Sequence, residues 1–198
     1  MRKLIVHEFI SLDGVVQAPG GADEDRDGGF TQGGWTWPYW HDDMGAAFMQ
    51  SMEQVDAFLF GRRTYQIHGE AFEPMPAGDP FGDLMNAPKK YVVSRTLTEP
   101  FVWRDTTVIR DDIVEAVRSL KEQPGNDILT DGSSQLVPLL LEHDLVDELM
   151  LTLYPVSLGG GKSIFPADVR RSFRLISATP YPTGVVALRY ARPEPESA

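Results

Sequence analysis

Two segments of this chain share one order: a short apolar strand, a polar turn that contains glycine, and the start of a helix. Residues 56–60 lead into 61–64, and residues 127–130 lead into 131–134. The first turn of a helix leaves backbone N–H groups unpaired at the positive end of its dipole, and glycine lets an anion approach the backbone closely. Each junction can therefore hold a phosphate, and two of them indicate a nucleotide cofactor.

The rest of the chain continues this alternation of strands and helices. Strands are predicted at 4–10, 56–60, 90–93, 107–109, 127–130 and 148–156, and helices at 42–55, 113–122 and 134–143. Alternation of this kind is typical of an α/β domain with a parallel sheet and crossover helices. Residues 173–179 and 185–190 predict a final hairpin that packs antiparallel on the sheet edge.

The length of 198 residues suits one domain, which we assign to residues 1–191, followed by a polar, proline-rich tail that we expect to be flexible over 192–198. Residues 17–40 are rich in glycine, aspartate and tryptophan and predict a long ordered loop, a type of segment that often acts as a lid. Residues 72–88 are rich in proline and glycine and predict a second mobile segment.

Composition excludes several classes of partner. The formal net charge of -11 repels nucleic acid and anionic membranes, so any phosphate must be held by local donors. No apolar run approaches the roughly 20 residues of a membrane span, and the N-terminal run is too short for a signal peptide. The chain has no cysteine for a disulfide, a thiolate zinc site or a nucleophile. We expect a cytoplasmic protein.

Donors suited to phosphate occur at both junctions. At the first, Gly61 gives close backbone approach, Thr64 supplies a hydroxyl, and Arg62 or Arg63 supplies a guanidinium. Simple helix capping is the alternative interpretation at either junction. Neither has the spacing of a P-loop or of G-x-G-x-x-G, which argues against both of those nucleotide folds. At the second, the candidate donors are Asp131, Gly132, Ser133, Ser134 and Gln135.

A third group of donors follows the strand at 90–93. Arg95 is flanked by the hydroxyls of Ser94 and Thr96. Ligands bind beyond the carboxyl ends of parallel strands, and a planar guanidinium suits phosphate geometry. Arg95 is therefore a candidate to hold the 2′-phosphate of a ribose.

An aromatic cluster at 35–40 contains Trp35, Trp37 and Trp40. It forms either a stacking wall for a flat heterocycle, or a plug of the core or of a homodimer interface. The four histidines are scattered without a paired metal-ligand spacing, so no metal site is expected. Lys162 follows three glycines in a turn that we expect to lie near the ligand, with its ammonium solvated.

Three acidic residues are candidates for proton delivery. Asp13 lies in the turn after the first strand, where a strand delivers a carboxylate to the edge of the sheet, and Asp42 and Asp43 open a predicted helix. The sequence leaves open whether each is a general acid or a helix cap.

These motifs, taken in order, resemble the dihydrofolate-reductase-like superfamily. The closer resemblance is to the reductase domain of bacterial bifunctional riboflavin-biosynthesis deaminase-reductases and its stand-alone relatives. It spans nearly the whole chain and rests on residues 10–14, 56–65, 91–96, 129–134 and 153–162. One departure is Val15, where the riboflavin enzymes commonly have a basic residue after the Leu-Asp-Gly turn.

The resemblance implies a three-layer dihydrofolate-reductase-like fold, with a mostly parallel central sheet, helices on both faces and an antiparallel C-terminal hairpin, and it implies NADPH as the cofactor. By matching position, the cofactor phosphates are met by Gly61, Arg62 and Thr64, the 2′-phosphate by Ser94 and Arg95, and the pyrophosphate by residues 132–135. The nicotinamide and substrate are bordered by the turn with Asp13 and Gly14 and by the loop with Trp35, Trp37 and Trp40.

The resulting hypothesis is an NADPH-dependent reductase that delivers hydride to a C=N or C=O bond of a small heterocycle. Asp13 is its candidate for positioning or protonation, and a homodimer is the expected assembly. The alternative is a non-catalytic binding protein that retains the fold and the nucleotide.

Overall fold

A computed structural model describes residues 1–165 and 169–193 of the chain. Within these ranges the elements, in chain order, are β1 (Leu4–Ser11), α1 (Asp42–Met52), β2 (Val55–Gly61), α2 (Arg62–Phe72), α3 (Pro80–Asn86), β3 (Lys89–Val93), β4 (Thr106–Ile109), α4 (Ile113–Glu122), β5 (Asp127–Asp131), α5 (Leu136–Glu142), β6 (Glu148–Tyr154), β7 (Arg174–Pro180) and β8 (Val186–Ala191).

The strands form one sheet in the order β4-β3-β2-β5-β1-β6-β8-β7. Strands β1 to β6 are mutually parallel, whereas β8 runs antiparallel to β6 and β7 antiparallel to β8. The predicted α/β class, the mostly parallel sheet and the antiparallel C-terminal hairpin are confirmed.

Strands β1 and β5 are neighbours whose chains leave in opposite directions, β1 toward β2 and β5 toward β6. Parallel crossovers are right-handed, so the helices that follow these two strands lie on opposite faces of the sheet. A crevice opens beyond the carboxyl ends of the strands at such a reversal, and ligands bind there. The topology therefore locates the site between β1 and β5.

Alternate residues of β1 bury into two separate cores. Leu4 and Val6 of β1 pack with Val137 and Leu140 of α5 on one face. Ile5 points to the other face, where the core is formed with α1, α2 and the loop that carries Trp103. Because successive side chains of a strand point to opposite faces, each residue of β1 is committed to one of the two cores.

Several elements differ from the sequence interpretation. Helix α1 ends at Met52 rather than at 55, and Val55 already belongs to β2. Residues 80–86, predicted as part of a mobile segment, form α3: Asp79 accepts hydrogen bonds from the amides of Phe81 (3.1 Å) and Gly82 (2.7 Å), and Pro80 occupies the first helical position. Helix α5 begins at Leu136 rather than at 134, two residues after the left-handed Ser133, whose φ is 79°.

Residues 194–198, which belong to the predicted tail, lie outside the described residues. Within the described part of the chain, none of the helices has the length and apolar character needed to span a bilayer.

Lys90 on β3 is fully buried. Its Nζ donates to the carbonyl oxygen of Asn86 (2.5 Å) and lies 4.7 Å from the ring centroid of Trp103. Burial lowers the pKa of Lys90 to about 8. The folded chain therefore releases this proton near pH 8, whereas the unfolded chain keeps it up to the ordinary value of 10.5.

We predict that Lys90 makes the free energy of unfolding rise with pH between about 8 and 10.5, because the unfolded state binds more protons over this interval. Each unit of difference in pKa corresponds to about 1.4 kcal/mol. Denaturant titrations at a series of pH values should show a steeper increase for the wild type than for Lys90→Met, which removes the ammonium and retains the apolar stem. Parallel pH profiles for the two proteins would contradict this.

Candidate active site

The predicted junctions meet at one edge of the sheet. The amide of Gly61, at the end of β2, donates to the hydroxyl of Ser133 after β5 (2.9 Å). A Cβ added at Gly132 would lie 3.3 Å from Cγ2 of Thr64. The two strand-to-helix turns are therefore in contact. A cleft of about 2000 Å³ opens here, and its lining includes Gly61, Arg62, Thr64, Ser94 and the whole of residues 131–135.

The turn after β5 has an unusual backbone. Gly132 and Ser133 have φ values of 81° and 79°, both in the left-handed region. Glycine adopts this conformation readily, but serine does so at a cost in strain. The two residues direct the chain away from β5 before α5 begins, so that the Ser133 hydroxyl reaches back to Gly61.

The third group of candidate donors, Ser94, Arg95 and Thr96, lies directly after β3. The hydroxyl of Ser94 accepts hydrogen bonds from the amides of Thr96 (3.2 Å) and Leu97 (2.9 Å), which shapes this turn. Arg95 and Thr96 are exposed just beyond it. No carboxylate in the described part of the chain pairs with Arg95, but Arg95 and Thr96, unlike Ser94, are not among the residues that line the cleft.

The two arginines of the first junction have different surroundings. Arg63 pairs with the carboxylates of Asp25 (2.9 Å) and Asp27, and Lys162 pairs with the same two groups (2.5 and 2.9 Å). Hydrogen bonds from Arg63 and then Lys162 lower the pKa of Asp27 to about 2. Arg62 is exposed, and no carboxylate among the described residues pairs with it. The ammonium of Lys162, expected to be solvated, is engaged by the loop instead.

The aromatic loop divides between the two predicted roles. Trp35 is buried, donates from Nε1 to the carbonyl oxygen of Gln17 (2.9 Å) and packs edge-on against Tyr154 with ring centroids 5.3 Å apart. Trp37 and Trp40 are exposed at 66% and 46% and line the cleft. Trp35 therefore plugs a core, whereas the other two remain candidates for stacking on a ligand.

The carboxylate of Asp13 anchors a neighbouring turn. It accepts hydrogen bonds from the hydroxyl of Ser11 (2.6 Å) and from the amides of Leu158 (3.1 Å) and Gly159 (2.6 Å). These donors, Ser11 first, hold the pKa of Asp13 well below its usual range. These contacts engage the carboxylate within its own turn, and neither Asp13 nor Gly14 is among the residues that line the cleft. Gly14 has a φ of 82°, which the turn requires.

The acids at the start of α1 lie in its first helical turn. The amide of Asp43 donates to Nδ1 of the capping His41 (3.2 Å). Carboxylates in this position interact favourably with the helix dipole. This accounts for Asp42 and Asp43 without assigning them a role in proton delivery.

One group was not found from the sequence: two histidines share the carboxylate of Asp131. Nδ1 of His7 lies 2.6 Å from Oδ1, and Nε2 of His68 lies 3.1 Å from Oδ2. Burial alone would raise the pKa of Asp131, but the charge and hydrogen bonds of the two imidazoles outweigh burial and hold the pKa below its usual range. His7, His68 and Asp131 all line the cleft.

His68 has acceptors on both sides. Its Nδ1 lies 3.0 Å from the carbonyl oxygen of Thr64 and its Nε2 faces Asp131. A carbonyl and a carboxylate only accept, so both hydrogen bonds form together only when both ring nitrogens carry a proton. Among the described residues, no group of three or more histidine, cysteine, aspartate or glutamate side chains is arranged to hold a metal ion.

Comparisons with known proteins identify the family of this chain. The sequence profile of the RibD C-terminal domain matches residues 2–187. The uncharacterized protein YyaP of Bacillus subtilis (strain 168) is 30% identical over 194 residues, covering 96% of this chain and 94% of its own, and the uncharacterized protein YwjB of the same organism is 25% identical, covering 96% and 98%.

Two solved structures share the fold. A pyrimidine reductase-like protein from Corynebacterium diphtheriae has a TM-score of 0.70 at 13% identity, covering 98% of this chain and 93% of its own. A diaminohydroxyphosphoribosylaminopyrimidine deaminase/5-amino-6-(5-phosphoribosylamino)uracil reductase from Thermotoga maritima has a TM-score of 0.66 at 14% identity. The latter match covers 97% of this chain and 57% of that protein.

We predict that Asp131→Asn lowers the free energy of unfolding by about 1 to 3 kcal/mol, because it removes the charge to which two imidazoles donate. Asp127→Asn on the same strand is the matched control, since Oδ1 of Asp127 accepts one backbone hydrogen bond from Lys3 (3.2 Å). Thermal unfolding of both variants measures the difference. Equal losses would show that the imidazole contacts do not stabilise the fold.

Proposed function

The chain belongs to the RibD C-terminal domain family, and we propose on that basis that it is an NADPH-dependent reductase that transfers hydride to a C=N or C=O bond of a small heterocycle. The observation that carries the proposal is the convergence of three strand-end turns on one cleft, with two of them joined by the Gly61 to Ser133 hydrogen bond. The family supports a pyrimidine reductase-like activity.

The first turn of α2 suits the cofactor phosphates. Gly61 is its N-cap and no side chain caps this end, so the amides of the first helical turn have no side-chain acceptor. Thr64 adds a hydroxyl, and Arg62 adds a guanidinium without an internal carboxylate partner in the described residues. Together with Gly132 and Ser133 across the contact, these groups would hold the pyrophosphate.

The exposed Arg95 would hold the 2′-phosphate that distinguishes NADPH from NADH. Charge-assisted hydrogen bonds from a guanidinium to a phosphate are among the strong ones in proteins, and bidentate geometry adds specificity. The acidic chain repels polyanions at long range, so selectivity for the extra phosphate must come from a local cation of this kind.

The bound cofactor supplies the hydride, and the protein orients both reactants and excludes water. An aromatic wall on the α1 face suits a flat substrate: the ring of His7 lies 5.2 Å from the rings of both Phe9 and Phe48, and Trp37 and Trp40 close the same cleft. His7 is held by Asp131 through Nδ1, and Nε2 makes no hydrogen bond to the described residues. Nε2 is therefore our candidate to deliver a proton to the substrate.

Val15 bears on the choice of substrate. It is buried with Phe30, Tyr154 and Leu158 and cannot supply a charge to a substrate phosphate. Because the riboflavin enzymes commonly have a basic residue there, we propose a heterocycle that needs no cation at this position.

We predict that the protein binds NADPH more tightly than NADH and that Arg95→Ala removes most of this preference. Loss of a charge-assisted contact worth about 1.5 to 3 kcal/mol corresponds to a weakening for NADPH of roughly 10- to 100-fold. Arg118→Ala is the control, since Arg118 lies on α4 and its closest acidic partner is Glu115 at 3.9 Å. Calorimetric titration with both nucleotides measures the affinities, and equal wild-type affinity for them would rule out the assignment of Arg95.

Turnover separates the enzyme from the non-catalytic alternative. NADPH oxidation at 340 nm should appear with one member of a panel of aminopyrimidines, pteridine-like compounds and small carbonyl compounds, and His7→Phe should abolish it without loss of cofactor binding. A wild-type protein that binds NADPH and oxidises it with no member of such a panel would favour the binding protein.

The proposal also includes a homodimer and a cytoplasmic location. Exposed aromatic side chains favour protein interfaces, and Trp37 is the most exposed tryptophan of the loop. If the loop anchors the dimer, Trp37→Ala should yield monomers in sedimentation experiments at low concentration. A dimer unchanged by this substitution would remove the loop from the interface.

A further inference from the structure

Glu8 lies on β1 between His7 and Phe9, and its side chain points to the opposite face of the sheet from both. The residue is only 3% exposed, yet it contributes to the lining of the cleft. Its Oε1 atom is buried and has no hydrogen-bond partner among the described residues. Such an orphaned carboxyl oxygen calls for a specific explanation, because nearly all buried polar atoms are paired.

The surroundings of Glu8 are apolar. Leu151 is its partner on β6, and Val6 and Ile10 are its buried neighbours on the same face of β1. An aliphatic side chain would be favoured at this position on grounds of stability, since burial of an unpaired carboxyl is costly. The group therefore makes physical sense if a ligand supplies its partner.

The position of Glu8 connects it to the phosphate-binding turn. The pairing of β1 with β5 ends at His7 and Asp131. The next residue of the chain after Asp131 is Gly132, which begins the turn that follows β5. The amide of Gly132 donates to the carbonyl oxygen of His7 (3.1 Å). Glu8 thus lies one residue beyond the point where the phosphate turn meets β1, where a ring attached to a bound pyrophosphate would reach.

The environment of Glu8 favours the neutral form of its carboxyl. Burial, and then the negative charge of Asp131, raise the pKa of Glu8 well above its usual value. A neutral carboxyl carries an O–H donor and a C=O acceptor side by side. An amide carries an N–H donor and a C=O acceptor in the complementary arrangement, so the two groups can join by a pair of hydrogen bonds.

We propose that Glu8 determines specificity by making this two-point hydrogen bond to an amide on the ring held in the cleft. The inference rests on the proposed function for the identity of that ring. Two sources supply the same chemistry: the carboxamide of a nicotinamide cofactor and the lactam edge of a pyrimidine substrate. The adjacency to Gly132 favours the carboxamide.

The cofactor arm of the test compares Glu8→Leu with Glu8→Gln, whose side-chain amide keeps a donor beside an acceptor. Each protein is titrated with NADP⁺ and with 2′-phosphoadenosine diphosphoribose, which lacks the nicotinamide. Glu8→Leu should weaken NADP⁺ at least tenfold and leave the fragment unchanged, while Glu8→Gln should stay within about threefold of the wild type for both, given that only an unpaired donor or acceptor is strongly penalised.

The substrate arm uses 5,6-diaminouracil with NADP⁺-saturated protein, followed by saturation-transfer NMR. A pyrimidine signal that is lost in Glu8→Leu and kept in Glu8→Gln, with NADP⁺ affinity unchanged, would assign the contact to the lactam. The proposal is overturned if Glu8→Leu changes neither ligand, or weakens NADP⁺ and the fragment equally.

A third measurement does not depend on any ligand. If Glu8 is unpaired in the free protein, Glu8→Leu should raise the melting temperature and Glu8→Gln should not. A lower melting temperature for Glu8→Leu would mean that the carboxyl has a structural partner and would overturn the proposal. A wild-type protein that binds neither NADP⁺ nor the fragment would refute the proposed function. The melting measurement, together with the pyrimidine NMR repeated on the free protein, would still decide the role of Glu8.

Discussion

The carboxylate of Asp131 is the interaction on which the site depends. It joins β5, where it resides, to β1 through His7 and to α2 through His68. These three elements come from distant parts of the chain, and each contributes one wall of the cleft. Asp131 is also the last residue of β5. The next two residues, Gly132 and Ser133, have left-handed backbone conformations and begin the turn. The turn after β5 and the aromatic rings around His7 are thereby held in a fixed relation.

Most of the fold was predictable because its signals are local. Strand-and-helix alternation, the strand-end glycines and the C-terminal hairpin follow from the period of apolar residues over short windows. The helix at Pro80–Asn86 was missed because proline and glycine counts in 72–88 outweighed its real start signal, Asp79 followed by Pro80. Aspartate at the N-cap followed by proline at the first helical position is a local sequence signal for the start of a helix.

The candidate site was only partly predictable. The order of residues in the sequence does not show which residues from distant segments come into contact in the fold. The candidate donors at Gly61, Arg95 and Gly132 could be proposed from the sequence because they lie at or just beyond the ends of strands. His7, His68 and Glu8 could not, because their roles depend on which residues of β5 and α2 face them. Alternation along β1 could have shown that Glu8 takes an inward position among Val6 and Ile10, an acid in an otherwise apolar series, and that was the signal for it.

The ion pairs between the long loop and the protein body have a consequence for movement of the loop. Asp25 and Asp27 each form ion pairs with both Arg63 and Lys162. Two carboxylates of the loop are therefore held by the same two cations. When one ion pair breaks, the others remain. They keep the released carboxylate close to its cation, so its effective concentration there stays high. Displacement of the loop therefore requires near-simultaneous loss of several weak contacts, and the strength of these contacts falls as ionic strength rises.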